Sequence, residues 1–175
     1  MAETYKTLAE FIAAAKEKPG KFNYASAGPG NWTHLFMAYL NSQAGIEQVN
    51  VVYRSGSEML TALLRGEADT AVITVSTALG QIKEGKIRAL AGLAKQPMRQ
   101  LPDVPPVAST IPGFDVAVWH GIAGPAGMDP ALVSRMNGIF NQIMEVPSVR
   151  AAITEAQAAD IIGGTPQQFD SFIKS

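Results

Sequence analysis

The chain has 175 residues, 47% of them hydrophobic, and a formal net charge of −1 from 14 basic and 15 acidic residues. A chain of this length and apolar content forms one domain or two small lobes with a buried hydrophobic core. The near balance of basic and acidic residues argues against the basic surface that binding to nucleic acid or to an anionic membrane requires. The absence of cysteine excludes disulfides and thiol chemistry.

The first residues, MAETYKTLAEF, lack the charged-then-apolar order of a signal peptide. No run of about 18 uncharged apolar residues indicates a membrane span. The sequence therefore predicts a soluble chain without an address, which is compatible with the processed or trimmed part of an exported protein.

The first half of the chain alternates helix and strand patterns. Apolar residues recur at helical spacing from Thr7 to Lys16, and Thr7 with Glu10 has the pattern of a capping box. Strands and helices then alternate through KFNYAS, Thr33 to Gly45, VNVVY, SGSEMLTALLRG, ADTAVITVS, STALGQIKEG and KIRALAGLA. This alternation predicts an α/β fold with a mostly parallel sheet covered by helices.

Two of these segments carry specific expectations about burial. The helix SGSEMLTALLRG is expected to begin at a serine cap, end at Gly66, and pack through Met59, Leu60, Leu63 and Leu64. The strand ADTAVITVS is expected to be buried on both faces because nearly all of its residues are apolar or small.

The pattern changes after Lys95. KQPMRQLPDVPPVASTIPGF holds five of the 11 prolines and predicts an irregular crossing segment. DVAVWHGIAGPAG then predicts a strand and a glycine-rich turn. Three helices follow, with expected starts at Asp129 and Pro130, at Ser148, and at Thr165 and Pro166. The first has an apolar side made of Leu132, Val133, Met136, Ile139, Phe140 and Ile143.

Motifs for catalysis and metal binding are absent from the sequence. The two histidines, His34 and His120, lie far apart and lack metal-ligand spacing. There is no G-x-S-x-G elbow, and GPGNWTH lacks both the G-K-[ST] of a P-loop and the third glycine of a dinucleotide fingerprint. We therefore expect no enzymatic activity, no cofactor and no metal.

The loop in YASAGPGNWTHL is the first candidate site. Gly28 and Gly30 allow a tight turn and let a ligand approach main-chain amides, and the helix that begins near Asn31 directs its unpaired N–H groups toward the loop. Ser26, Asn31 and Thr33 add neutral donors. This arrangement suits a carboxylate, and a plain glycine turn capped by Thr33 or Asn31 is an equal alternative.

The second candidate follows the strand VNVVY, at Tyr53, Arg54, Ser55 and Gly56. Ligands of open parallel sheets lie outside the carboxyl ends of the strands, so both loops are placed to share one anion. Arg54 either reaches that anion or is a solvated loop charge.

Four further residues are interpreted from their neighbours in the sequence. Thr74 and Ser76 either join the same site or cap the next helix. His34, on a largely apolar helix, is interpreted as a packed and hydrogen-bonded side chain. Trp119, next to His120, lines a cleft or fills a joint between lobes, with the joint preferred.

Six ordered segments together carry a resemblance to one family: TLAEFIAAAKEKPGKFNYASAGPGNWTHL, VVYRSGSEMLTALLRGEAD, IKEGKIRALAGLAKQ, LPDVPPVAS, IPGFDVAVWHGIAGPAG and TPQQFDSFI. Over nearly its whole length the chain resembles the extracytoplasmic solute receptors of the tripartite tricarboxylate transporter family, the Bug receptors. The resemblance implies a periplasmic, two-lobed protein of the Venus-flytrap type (periplasmic-binding-protein type II). Such a protein binds a small carboxylate between its lobes and delivers it to a membrane permease.

Family members are nearly twice as long, and the resemblance assigns this chain to part of them. Residues 1–113 are expected to form lobe 2, and residues 114–175 to return into lobe 1 and end inside its last helix. Half of the ligand clamp is then expected to be missing. We therefore expect this chain alone to bind its ligand weakly or not at all, and to self-associate through apolar surface that the missing half covers.

The family motifs also assign site residues by resemblance. The YASAGxGxxxHL element matches Ser26, Ala27, Gly28, Gly30, His34 and Leu35, and the PYKGS element corresponds to Tyr53, Arg54, Ser55 and Gly56. In the DxxFDN element Asp69 is kept, but Ile73 replaces the second acid and Thr74 follows it. This departure argues against a ligand with an ammonium group.

The full set of expected ligand-binding residues is Ser26, Ala27, Gly28, Gly30, Asn31, Thr33, His34, Tyr53, Arg54, Ser55, Gly56 and Thr74. A carboxylate-sensing module for a signalling partner is the alternative reading, and a small enzyme using His34 or His120 is a more distant one.

Overall fold

The computed structural model describes residues 5–116, 118–156 and 159–174. The chain divides into two compact units, unit 1 from Met1 to Val118 and unit 2 from Trp119 to Ser175. This division falls five residues after the predicted lobe boundary at 113, and the assignment of the units to lobes stays a prediction.

Unit 1 alternates helices and parallel strands. Its elements are α1 (Leu8–Glu17), β1 (Phe22–Ser26), α2 (Trp32–Ala44), β2 (Gln48–Val52), α3 (Gly56–Arg65), β3 (Thr70–Ala71) and α4 (Val75–Lys83), followed by a 3-10 turn at Val107–Ser109. The strand order is β2-β1-β3, and both pairings of the central strand are parallel. The predicted α/β fold with a parallel sheet is therefore confirmed.

The helix ends follow the local capping chemistry. The Thr7 side chain accepts a hydrogen bond from the Glu10 amide, and α1 buries the four residues whose spacing indicated them, Leu8, Phe11, Ile12 and Ala15. α2 ends at Gly45, which has a left-handed φ of 64°. These are local signals, which is why the sequence predicts them well.

The core of unit 1 lies on both faces of the sheet. Helices α1 and α2 cover one face around Tyr24, and α3 covers the other. In α3 the buried residues are Met59 and Ala62, whereas Leu64 is 42% exposed. The predicted apolar face of α3 is therefore wrong in part, because a short side chain at position 62 lets the helix approach the sheet.

Two predicted strands differ from the structure. Of ADTAVITVS, only Thr70–Ala71 is a strand, because α4 already begins at Val75. KIRALAGLA forms no strand in the described residues, where Gly92 makes a single bridge to Pro106. The Gly92 amide donates to the Pro105 carbonyl, and the Gly92 carbonyl accepts from the Val107 amide. Because Pro105 and Pro106 have no amide to donate, this pairing cannot extend into a ladder.

The regular elements of unit 2 are helices in the residues that the structure describes. It contains α5 (Pro130–Met144), α6 (Pro147–Ala151), a π-helical turn (Ala152–Ala156) and α7 (Pro166–Lys174). Asp129 caps α5 as predicted, and Thr165 and Gln168 cap α7 reciprocally. α6 begins one residue earlier than expected, with Pro147 in its first turn.

The predicted strand in DVAVWHGIAGPAG is absent from its described residues, and Ala117 lies outside them. Trp119 is 50% exposed and makes edge contacts with Phe169 and Phe172, at ring-centroid distances of 5.6 and 5.5 Å. These aromatic contacts lie within unit 2, and the joint that we expect Trp119 to fill stays a prediction.

Within the described residues, no helix combines the length and the apolar character needed to cross a membrane.

Candidate functional site

The predicted loops meet at the carboxyl edge of the sheet. The Tyr53 amide donates to the Ser26 carbonyl at 2.8 Å, which joins the loops after β1 and β2. A Cβ on Gly28 would lie 3.6 Å from Val52 Cγ1, and a Cβ on Gly56 would lie 3.8 Å from Thr77 Oγ1 of α4. The loops after β1, β2 and β3 are therefore neighbours, as expected for parallel strands.

The β1–α2 loop is held by its own side chains. The Ala27 amide donates to Thr33 Oγ1 at 2.8 Å, and the Gly28 amide donates to Ser26 Oγ at 3.2 Å. Asn31 Oδ1 accepts from both the amide and the hydroxyl of Thr33, at 3.0 and 2.9 Å. Asn31 is thus the cap of α2, and the amides of Ala27, Gly28 and Thr33 are already paired.

Ser26 is fully buried, and its hydroxyl donates to Asn50 Oδ1 at 2.6 Å. The hydroxyls of Ser26 and Thr33, expected as neutral donors to a ligand, instead hold the loop together. Asn50 was not identified from the sequence. The signal available in the sequence is a single amide residue within the otherwise apolar or aromatic run VNVVY.

Other amides at this edge donate no hydrogen bond within the described residues. They belong to Gly30 and Trp32 at the start of α2, Ser55, Gly56 and Ser57 at the start of α3, and Val75 and Ser76 at the start of α4. The first N–H groups of a helix lack internal partners and carry partial positive charge. Three helix N-termini at one edge therefore present unpaired donors suited to an anion.

Arg54 adds a full positive charge next to α3. Its side chain is exposed and forms no ion pair with the residues that the structure describes. Its amide donates to Glu58 Oε2 at 2.9 Å, while Ser55 Oγ accepts from the Glu58 amide at 3.2 Å. The N-terminus of α3 therefore carries one side-chain cation and one carboxylate.

His34 is half-buried and packs against the buried Tyr24. Its ring stacks on Tyr24 at a centroid distance of 6.3 Å. Its buried Nδ1 has no hydrogen-bond partner in the described residues, so the packing is as predicted but the hydrogen bond expected with it is missing at this atom. Burial raises the pKa of the Tyr24 hydroxyl above its ordinary value of 10.0.

The two polar residues around β3 are used within the fold. The Thr74 hydroxyl contacts Thr77 Oγ1 at 2.8 Å and makes no cap bond to α4. Asp69 Oδ2 accepts from the Asn23 amide at 2.7 Å and so ties β3 to β1 away from the carboxyl edge. Within the described residues, no cluster of histidine and acidic side chains is suited to hold a metal ion.

A comparison with protein families matches residues 1–175 to the "Tripartite tricarboxylate transporter family receptor". The chain is 32% identical over 173 residues to the "UPF0065 protein in tcbD-tcbE intergenic region" of Pseudomonas sp. (strain P51), covering 98% of this chain and 51% of the relative. It is 32% identical over 143 residues to the "UPF0065 protein in clcB-clcD intergenic region" of Pseudomonas knackmussii, covering 81% and 84%. Protein BugT of Bordetella pertussis is 27% identical over 168 residues, covering 95% and 51%.

Solved structures share the fold. "R. palustris Rpa4515 with adipate" superposes with a TM-score of 0.86 at 23% identity, covering 97% of this chain and 57% of that one. The periplasmic binding protein BugD gives 0.86 at 22% identity, covering 98% and 58%. "MatC (Rpa3494) from Rhodopseudomonas palustris with bound malate" gives 0.79 at 26% identity, covering 93% and 55%. The chain thus has a periplasmic-binding-protein fold and spans little more than half of these structures.

Proposed function

Because the chain belongs to the tripartite tricarboxylate transporter family receptors, we propose that it is the part of a solute receptor that binds a small organic carboxylate at the carboxyl edge of its sheet. The membership confirms the resemblance carried by the six sequence segments. Its relatives are solute-binding receptors rather than enzymes. The observation that carries the proposal is the meeting of three helix N-termini with unpaired amides at that edge.

The proposed ligand contacts come mainly from the backbone. The amides of Gly30 and Trp32 supply donors on the β1–α2 side, and those of Ser55 and Gly56 supply donors on the β2–α3 side. Amide donors and a helix N-terminus stabilise a carboxylate without a buried cation. Arg54, exposed beside them, adds charge attraction.

The remaining expected residues act as supports in this proposal. Ser26 and Thr33 hold the loop through their hydrogen bonds to Asn50, Gly28 and Ala27. Asp69 is occupied with Asn23, and position 73 is an isoleucine, so no acid at these positions is available for an ammonium group. Ligands that carry carboxylates alone fit this edge best, and two structural neighbours hold adipate and malate.

The proposed biological setting is supported by the relatives. Structural neighbours are described as periplasmic, and we place this chain in the periplasm, where it delivers its ligand to a membrane permease. Unit 1 then corresponds to lobe 2, and unit 2 to part of lobe 1. Since the chain spans about half of most curated relatives it matches, the rest of such a protein is expected to close the ligand from the other side.

Amide chemical shifts test the proposal directly. We expect adipate or malate, added to the ¹⁵N-labelled chain, to shift the amides of Gly30, Trp32, Ser55, Gly56 and Ser57 in a saturable way. The dissociation constant should be larger than about 1 μM, which corresponds to a binding free energy of less than about 8 kcal/mol. The reason is that a site contacted from one side only leaves much of the ligand exposed to water. The neutral diamide of adipate is the control for non-ionic effects. Shifts confined to unit 2, or equal shifts with the diamide, would contradict the proposal.

A further inference from the structure

The outer edge of β2 is open. Strand order β2-β1-β3 leaves β2 paired on one side only in the described part of the chain. The Tyr53 amide and the Glu47 carbonyl both bond toward the β1 side, to Ser26 and Gly20. Since backbone groups alternate along a strand, the N–H and C=O groups of Gln48, Asn50 and Val52 point away from the sheet.

This edge lacks the features that usually prevent pairing. The strand QVNVV has no charge, no proline and no glycine, and its five residues keep one unbroken register with β1. Val49 and Val52 are 47% and 55% exposed. In soluble proteins a lysine, a proline or a bulge normally prevents an edge strand from pairing, so an uncharged and regular edge with exposed valines is suited to pairing with another strand.

We infer that this edge pairs with β2 of a second copy of the chain in antiparallel orientation, an interaction that goes beyond the proposed ligand binding. Asn50 lies at the centre of the strand. Antiparallel pairing about Asn50 sets Val49 against Val51 on one face of the sheet and Gln48 against Val52 on the other face, so two valine pairs form across the two-fold axis. The three-stranded sheets of the two copies would then form one continuous sheet.

The charges that flank β2 select this partner and this direction. Glu47 precedes the strand and Arg54 follows it by two residues. Antiparallel pairing about Asn50 sets Glu47 of one copy opposite Tyr53 of the other, one residue from Arg54, at both ends of the paired strands. Parallel pairing would set like charges side by side, which is unfavourable. The edge is thus complementary to itself in the antiparallel direction.

Sedimentation and hydrogen exchange test this interface together. The chain is expected to form a dimer with rising concentration. Exchange of the Gln48, Asn50 and Val52 amides should slow about tenfold in the dimer, while the inward amides of Val49 and Val51 stay equally protected at all concentrations. A chain that remains monomeric, or a dimer in which the three outward amides exchange as in the monomer, overturns the inference.

Three variants separate this edge from other apolar surface. Val49→Lys adds a charge to the pairing face and should weaken dimerisation by about tenfold or more. Leu64→Lys introduces the same charged side chain on α3, at a residue that is 42% exposed. This variant should dimerise like the parent chain. Met136→Glu places a charge among the exposed apolar residues of α5, which are Leu132, Met136, Ile139 and Ile143. If Met136→Glu abolishes the dimer and Val49→Lys does not, the interface lies on α5 and the inference is wrong.

Discussion

Ser26 illustrates how single residues prepare the site. It ends β1, is fully buried, and uses its hydroxyl twice, as donor to Asn50 Oδ1 and as acceptor from the Gly28 amide. These two bonds fix the strand end, its neighbour strand and the loop relative to each other. The loop is therefore ordered before a ligand binds, and this preorganisation reduces the entropic cost of binding.

We expect Ser26→Ala to reduce the free energy of unfolding by about 1–3 kcal/mol, because Asn50 Oδ1 and the Gly28 amide lose a partner in a buried place. Urea denaturation followed by circular dichroism measures this loss. Ser42→Ala, at an exposed position of the same α2, is the control and should stay within about 0.5 kcal/mol of the parent. Equal losses for the two variants would contradict the supporting role of Ser26.

Tyr24 makes stability depend on pH at the alkaline end. Burial raises the folded-state pKa of its hydroxyl above 10.0, so the unfolded chain loses this proton first. The stabilisation is complete below the unfolded pKa, near 10, and is lost as pH rises through the folded pKa. Tyr24→Phe should therefore show a shallower loss of unfolding free energy above about pH 10 than the parent.

The matched control for that measurement is Tyr39→Phe, at a tyrosine that is 39% exposed. Its unfolding free energy is measured over the same pH range, so that the loss of an exposed tyrosine hydroxyl is compared with the loss of the buried one. If Tyr24→Phe and the parent lose stability equally over the same pH range, the buried hydroxyl is not the group responsible.

At the residue scale, the sequence identifies the loop but not how the loop uses its donors. Gly28, Gly30 and the cap at Asn31 follow from local chemistry. The pairing of Ser26 with Asn50 joins positions 24 apart, and it depends on which strand lies next to β1. Such a contact cannot be predicted before the strand order is known, and for this reason the sequence alone indicates free hydroxyl donors.

At the element scale, the helix ends are the best predicted features. Thr7, Ser55, Asp129 and Thr165 all occupy the cap positions that the sequence indicates. Capping involves residues within one turn of each other, so a short window of sequence holds the whole interaction. The same reasoning predicts that α2 and α3 begin at the two candidate loops, whereas the cap bond from Thr74 that one reading expects for α4 is absent.

Strands are less well predicted, because pairing depends on distant residues. KIRALAGLA has the composition of a strand, yet the segment beside it contributes Pro105 and Pro106, which cannot extend a ladder. Periodicity similarly predicts which side of α5 is apolar, but it does not predict whether another element packs against that side. In the structure that helix has no buried residue, and Leu132 and Ile139 are exposed.

At the scale of the whole molecule, the two units differ in how much they bury. Unit 1 contains the buried apolar residues around β1, including Phe11, Tyr24 and Phe114. The helices α5, α6 and α7 of unit 2 have no buried residue. Since burial of apolar surface is the main stabilising contribution, the units should differ in stability.

Amide hydrogen exchange measures that difference. We expect the amides of α5 and α7 to exchange at least tenfold faster than those of β1 and α2, because local opening of unit 2 exposes little additional apolar surface. Exchange near the centre of each helix is the proper comparison, since helix ends fray in both units. Equal protection of α5 and α2 would show that unit 2 has a stability the structure does not explain.

The central claim is that unpaired amides at the start of α2 bind a carboxylate, and one amide can be deleted cleanly. Proline is tolerated at the first position of a helix, which Trp32 occupies. Asn31 before it already has the extended φ of −70° and ψ of 149° that a following proline favours. Trp32→Pro therefore removes the N–H without breaking the helix, while Trp32→Ala removes the same side chain and keeps the N–H.

The decisive measurement is the affinity of these two variants for adipate or malate, determined by the same NMR titration. Both lose the packing of the indole against Phe36, so a difference between them reports the amide alone. We predict that Trp32→Pro binds about tenfold more weakly than Trp32→Ala, as expected for one hydrogen bond to a charged group. Equal affinity of the two folded variants would contradict the claim.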